Sequence, residues 1–300
     1  GAIYIDGGNI QIKNSKIEKS QTLGVWLKNS SSSLVDSVAF SNIGGDWEKP
    51  AAVYIESRSP TIKNSTFENN NIGILIESSA SPVIENNVFK NNQTPIKTNT
   101  LLASFSGNTG QNNNLNGILV ADFGFSDAIN QIDWRKDNLP YILESSATIA
   151  SGKTLNIRPG VIIKLKSGGR IYVNGALRAQ GTASEKVIFT SLIQETAGSW
   201  DFIYFSALSN NSMLDYVIVR YGGWYNAPFK RGAVKIENTN VAIANSLFEN
   251  NLVAGLDLEN STITITNTIF KNHRAQYGSA AENSMGIWVK NESGYCPNLS

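Results

Sequence analysis

Apolar residues recur in short alternating bursts divided by polar turns. The clearest case is residues 52–94, which read AVYIESRSPTIKNSTFENNNI and then GILIESSASPVIENNVFKNNQT. Ile55 pairs with Ile76, Ile62 with Ile84, Asn64 with Asn86 and Phe67 with Phe89, at offsets of 21, 22, 22 and 22 residues. Each copy holds an alternating strand, a polar turn, a second strand and an Asn-rich turn. A unit this short cannot bury its own apolar face, so it has to stack on its neighbours. The pattern predicts an all-β solenoid with rungs of about 22 residues.

The same columns run along most of the chain. First-strand pairs are Ile3/Ile5, Val25/Leu27, Val53/Ile55, Ile74/Ile76, Ile96/Thr98 and Ile118/Val120, and later Ile203/Phe205, Val234/Ile236, Leu256/Leu258 and Ile287/Val289. Period-2 alternation turns these residues inward and the residue between them outward. A second inward column holds Ile12, Val35, Ile62, Ile84, Leu214, Ile243 and Ile265; a third holds Ile17, Phe40, Phe67, Phe89, Val219, Phe248 and Phe270. Between them sit Asn14, Ser37, Asn64, Asn86, Tyr216, Asn245 and Asn267. Asn tolerates left-handed backbone, so this column is expected to form corners and to stack as a ladder. The Asn64-Ser65-Thr66 triplet could accept an N-linked sugar, but a ladder Asn would be poorly exposed.

Residues 121–150 break the rhythm with Phe123, Phe125, Trp134, Pro140 and Tyr141, and a different spacing follows. The stretch SGKTLNIRPGVIIKLKSGGRIYVNGALRAQGTASEKVIFTS, with its Pro159-Gly160 turn, Gly175 and Gly181-Thr182, resembles the opening rungs of exported surface proteins of the pectin-lyase-like superfamily. The Asn-Ser-x-Phe rungs resemble that superfamily's generic repeat. The resemblance implies a right-handed parallel β-helix and is close to silent on activity, since the fold hosts many functions. Residues 1–134 are expected to be the C-terminal part of one β-helix module and 135–300 the start of a second. A long repeat supports this: residues 1–30 align with 232–261 at a constant offset of 231, from Gly1/Gly232 to Ser30/Ser261. With its opening Gly1-Ala2-Ile3 already inside a strand pattern, the chain reads as part of a longer tandem array.

Composition narrows the function classes. A net charge of +1 with 16% charged residues gives no reason to expect nucleic acid or an anionic membrane as partner. No apolar run is long enough for a membrane span. Cys296 is the single cysteine, so no internal disulfide can form.

Since the inward columns are apolar, function is expected outside, at three corners longer than a rung. Leu27 to Ile55 is 28 residues, Phe205 to Ile236 is 31 and Leu258 to Val289 is 31. Trp47 stands in the first beside Asp46, Glu48 and Lys49; Trp224, Tyr225 and Arg231 in the second; His273, Arg274, Tyr277 and Glu282 in the third. Aromatic and charged loops suit stacking on a sugar ring; alternatively they fold back as lids on the solenoid flank. A second candidate is the outward column Tyr4, Trp26, Tyr54, which would form a flat exposed aromatic stripe able to bind polysaccharide or a neighbouring protein, or serve only to stabilise the sheet.

The sharpest catalytic candidates are the outward pairs Glu56 with Glu77 and Glu237 with Glu259. Adjacent rungs hold them about 5 Å apart, a separation that suits a retaining carboxylate pair. The paired Asp residues, Gly-His-Gly and Arg-x-Lys of polygalacturonase-like enzymes are missing, as is the calcium-binding acidic cluster with Arg base of pectate-lyase-like ones. His273 has no acidic partner nearby in sequence and reads as an exposed bystander. No ligand-spaced Cys/His set points to a metal, and calcium finds no Asp-Gly loop of the known kinds. The expectation is therefore a non-catalytic extracellular or cell-surface β-helix, a rigid stalk or adhesin-like scaffold that needs no cofactor. Its partners would be surface glycans and the flanking modules of its parent chain. The alternative is a polysaccharide lyase or glycoside hydrolase acting through Glu56 and Glu77.

Overall fold

The computed structural model describes residues 3–44, 49–125, 129–223, 232–274, 284–291 and 298–299. Every regular element among them is a strand. The chain divides into two compact units, residues 1–124 with 135–142, and residues 125–134 with 143–300.

Three parallel sheets build the first unit. Ile3–Asp6, Val25–Lys28, Ala51–Arg58, Ile72–Ala80, Thr94–Thr98 and Ile118–Val120 stack in chain order in one of them. A second sheet holds Gln11–Lys13, Leu34–Asp36, Thr61–Lys63, Val83–Glu85 and Ser104–Ser106. The third holds Lys16–Glu18, Ala39–Ser41, Thr66–Glu68, Val88–Lys90 and Thr109–Gln111. Each rung thus gives one strand to each sheet, which is the winding of a solenoid. The register matches the expected columns: Ile74 faces Ile96, Ile62 faces Ile84 and Phe67 faces Phe89. The long corner after Leu27 is absorbed without a slip, because Leu27 still faces Ile55.

In the second unit the same three-strand rung recurs. Phe202–Phe205, Gly232–Glu237, Ala254–Glu259 and Met285–Lys290 stack in one sheet, Ser212–Asp215, Val241–Ala244 and Thr264–Thr266 in another, and Val217–Arg220, Leu247–Glu249 and Ile269–Lys271 in a third. Phe205 faces Ile236 and Leu258 faces Val289, so both of its long corners also leave the register intact.

The core is built from like side chains piled at rung spacing. Phe40, Phe67 and Phe89 stack with centroids 4.8 and 4.9 Å apart and planes within 5° and 12°. Phe248 and Phe270 repeat this at 4.9 Å and 17°. A β-solenoid enforces such stacking because successive strands lie about 4.8 Å apart, and each aromatic pair adds roughly 0.5–1.5 kcal/mol beyond its buried area. The glycine that opens a first strand makes room for this pile: a Cβ on Gly73 would sit 2.8 Å from the Phe89 ring and 2.5 Å from the Pro95 carbonyl.

Corners carry the asparagines, with a division of labour that differs from expectation. Asn14, Ser37, Asn64, Asn86, Tyr216, Asn245 and Asn267 all have φ between 46° and 58°, the left-handed conformation expected of them. In the second unit the expected stacking occurs, with Asn267 Nδ2 donating to Asn245 Oδ1 at 3.3 Å, but this column is not the buried ladder. Asn64 is exposed and donates through Nδ2 to Asp36 Oδ1 at 2.9 Å. The buried ladder lies one residue later. The Ser65 amide donates to Asn87 Oδ1 at 3.0 Å, the Asn87 amide to Asn108 Oδ1 at 3.1 Å, and Asn108 Nδ2 to Asp137 at 2.8 Å. A second ladder follows the third strand, where the Asn70 amide donates to Asn92 Oδ1 at 3.0 Å and the Asn92 amide to Asn113 Oδ1 at 2.9 Å. Each Asn-Asn pair therefore gives its first member to the turn and its second to the ladder. Both needs are physical: φ > 0 favours Asn, and buried backbone groups demand partners.

Candidate ligand-binding face

Strand pairing sets Tyr4 beside Trp26 and Trp26 beside Tyr54 on the outer surface of the first unit. The flat exposed stripe expected there does not form. Tyr4 is 54% exposed and Trp26 half-buried, but Tyr54 is only 6% exposed and packs with Ala51, Ile72 and Leu75. The rings are tilted, Tyr4 to Trp26 by 58° at 4.7 Å and Trp26 to Tyr54 by 62° at 5.6 Å. Two contacts account for the departure. The Trp26 indole Nε1 turns to donate to Glu56 Oε2 at 2.7 Å. Lys49, from the first long corner, places Nζ 4.2 Å from the Trp26 ring and 5.7 Å from that of Tyr54. This part of the corner folds back over the flank.

Polar groups beside the rings are held by hydrogen bonds and an ion pair. The Tyr4 hydroxyl donates to Asp6 Oδ2 and Asn29 Nδ2 donates to Asp6 Oδ1, both at 2.9 Å. The Asn29 bond, then that from Tyr4, holds the Asp6 carboxyl below its ordinary range, while the bond to Asp6 raises the Tyr4 phenol. Lys28 lies 3.4 Å from Glu56, and Asn99 Nδ2 donates to Glu77 Oε2 at 3.0 Å. Burial, then the charges of Glu77 and Glu56, pushes the Tyr54 phenol far up. Glu56 and Glu77 are therefore both held by hydrogen bonds from neighbouring rungs.

In the second unit the outward column runs Tyr172, Tyr204, Lys235, Asp257 and Trp288. Here the middle of the face is ionic. Lys235 is 1% exposed, with Nζ 2.6 Å from Glu259 and 3.3 Å from Glu237. Tyr204 donates its hydroxyl to Glu237 at 3.1 Å, and Lys290 reaches Glu259 at 3.3 Å. Burial alone would lower the Lys235 ammonium, but the Glu259 hydrogen bond and the charges of Asp257, Glu237 and Glu259 outweigh it and raise it. Lys235 in turn holds Glu259 below its ordinary value. Outward position did not mean exposure at Lys235 or Asp257, both of which are buried.

His273 also corrects the sequence reading. It occupies the place three residues after Phe270 that Asn70, Asn92 and Asn251 occupy after Phe67, Phe89 and Phe248, and this spacing is the signal that could have revealed it. Nδ1 accepts from the Asn251 amide at 3.3 Å, while the buried Nε2 has no hydrogen-bond partner. A Cβ on Gly255 would meet the imidazole at 2.9 Å. His273 is thus a ladder residue, and burial lowers its pKa to about 4. Trp47, Trp224, Tyr225, Arg231 and Tyr277, with Asp46, Glu48 and Glu282, lie outside the described residues. Among the described residues no group of three or more His, Cys, Asp or Glu side chains is placed to hold a metal ion.

Residues 1–133 match the family described as right handed beta helix region. Comparison with curated proteins and with solved structures found no match. The stacked rungs and this family match together make the chain a right-handed parallel β-helix repeat protein.

Proposed function

We propose that this β-helix is a non-catalytic, extracellular or cell-surface scaffold that binds surface glycans through Tyr4 and Trp26. The observation that carries the reading is the exposed Tyr4 ring 4.7 Å from a half-buried Trp26, beside the Asp6–Asn29 pair whose polar atoms suit sugar hydroxyls. Flanking modules of a longer parent chain would carry this face outward as a stalk. The competing reading, a lyase or glycoside hydrolase, is favoured by one observation: Glu56 and Glu77 stand on adjacent rungs, each directly after the facing pair Ile55 and Ile76, at the point where the register shifts. Against it, each carboxylate already accepts hydrogen bonds from a neighbour.

Incubation with acidic and neutral polysaccharides, followed by assay for new reducing ends or unsaturated products, separates the two. Cleavage abolished by Glu77→Gln would sink the scaffold reading. Binding on a glycan array that Trp26→Ala and Tyr4→Ala weaken at least tenfold is the expected result, and no binding by the unmodified protein removes the glycan claim.

A further inference from the structure

A groove of about 760 Å³ runs across the rungs of the first unit at the corner after the third strand. Among the described residues only uncharged side chains line it. One wall is the column Asn42, Asn69, Asn91 and Asn112, all left-handed with φ of 53–56°. Backbone hydrogen bonds keep these rungs in step, from the Asn42 amide to the Glu68 carbonyl, Asn69 to Lys90 and Asn91 to Gln111, each at 3.1 Å. The other wall is Asn71, Gln93 and Asn114, two residues further along each rung and all exposed. Gly44 stands in this second column one rung earlier.

Backbone conformation explains the first wall but not the second. Positive φ favours Asn at a corner whatever the surface does. Asn71, Gln93 and Asn114 are outside the left-handed set; Asn114 Nδ2 donates to Gln93 Oε1 at 2.7 Å, which holds these two amides in line along the stack. The second unit supplies an internal control. At its equivalent corners the left-handed Asn250 and Asn272 are kept, yet the second column holds Leu252 and Arg274. The second amide column is thus peculiar to the first unit, where it faces the left-handed asparagines across one groove.

We infer that this groove is a binding site for an extended, neutral polysaccharide chain lying along the stacking axis. Each amide offers both a donor and an acceptor, which matches hydroxyl groups and gives no preference for an ionic partner. The amides recur at about 4.8 Å over roughly 14 Å, a repeat comparable to that of an extended chain of pyranose rings. The site shares no residue with the Tyr4–Trp26 face, so either can fail without the other.

The test is affinity electrophoresis of the whole chain through gels containing xylan, galactomannan or hydroxyethyl cellulose, with polygalacturonate as the acidic comparator. The unmodified protein is expected to be retarded by at least one neutral polymer. Combined Asn71→Ala, Gln93→Ala and Asn114→Ala substitutions are expected to weaken that retardation at least tenfold, and Ile193→Ala, at an exposed position of the second unit, to leave it in place. Should the triple variant melt early, Gly44→Trp serves instead. It removes no amide, the nearest atom to a Cβ there is the Gln21 carbonyl at 3.4 Å, and it is expected to block the groove to the same degree. No retardation by any neutral gel, retardation by the acidic gel alone, or retardation unchanged in both variants would overturn the proposal. So would self-association in sedimentation that the variants abolish, since the groove would then be an interface between copies of this chain.

Discussion

The indole N–H of Trp26 donates to the Glu56 carboxylate at 2.7 Å, joining residues on neighbouring rungs that are 30 positions apart in the chain. This hydrogen bond, with Lys49 4.2 Å from the ring centroid, orients the ring at the centre of the candidate glycan face. It also occupies the carboxylate that a hydrolase would need free.

Replacing Glu56 by Ala should therefore change the face as well as the fold. Hydrogen bonds to charged groups contribute about 1.5–3 kcal/mol; with Glu56 partly exposed, a loss of about 1 kcal/mol is expected. Urea unfolding gives the stability, and near-ultraviolet circular dichroism should report a reoriented indole. An unchanged aromatic spectrum would show that Lys49 alone sets the ring.

Consecutive asparagines should respond in opposite ways. Asn91 has φ 53° and is exposed, so Asn91→Gly is expected to alter stability by no more than a few tenths of a kcal/mol, whereas Asn91→Ala should cost about 1 kcal/mol. Asn92 is buried, donating to the Phe67 carbonyl at 3.0 Å and accepting from the Asn70 amide at 3.0 Å. Asn92→Ala strands both backbone groups and should cost about 2–4 kcal/mol. Chemical denaturation of the three variants checks the contrast; equal effects at the two positions would refute it.

Buried Lys235 predicts a steep penalty for losing one partner of an ion pair. Lys235→Met keeps the volume but leaves Glu259 and Asp257 without the ammonium that faces them, and removing one partner of a buried pair typically costs about 3–5 kcal/mol. Adding Glu259→Gln to Lys235→Met should recover part of that loss. A double variant no more stable than the single one would show that Glu259 finds its stabilisation elsewhere, as from Lys290 at 3.3 Å.

Acid should weaken the second unit through His273. Its pKa is 6.5 when unfolded and about 4 in the fold, so between those values the unfolded chain holds a proton that the native chain lacks. Stability is then full above pH 6.5 and falls as pH drops toward about 4. The loss is expected to be about 1–2 kcal/mol after allowance for solvent screening at a partly buried ring. His273→Asn, which restores the amide used on other rungs, should flatten the thermal-stability profile over that window; an unchanged profile would assign the acid sensitivity to other groups.

Much of this architecture is legible in the residues themselves. The three inward columns, the rung length and the left-handed corners follow from alternation and from the offsets of Ile62 to Ile84 and Phe67 to Phe89. Even the ladder could be read, because Asn-Asn pairs recur and His273 keeps their spacing from Phe270. Alternation says that Tyr54 and Lys235 point outward, but not that either is covered. The tilt of Trp26 was hidden for the same reason, since Glu56 and Lys49 come from elsewhere along the chain.

The sequence by itself determined the winding: period-2 apolar pairs have one way to be buried when every rung repeats them, and Asn at fixed positions sets the corners. Only the tertiary structure decided what the outer surface offers. Burial of Tyr54 and Lys235, the engagement of Glu56, and two amide columns facing one groove all depend on atoms brought together from different rungs and corners. No periodicity within a single rung encodes those contacts, because each arises only when one turn of the solenoid closes on the next.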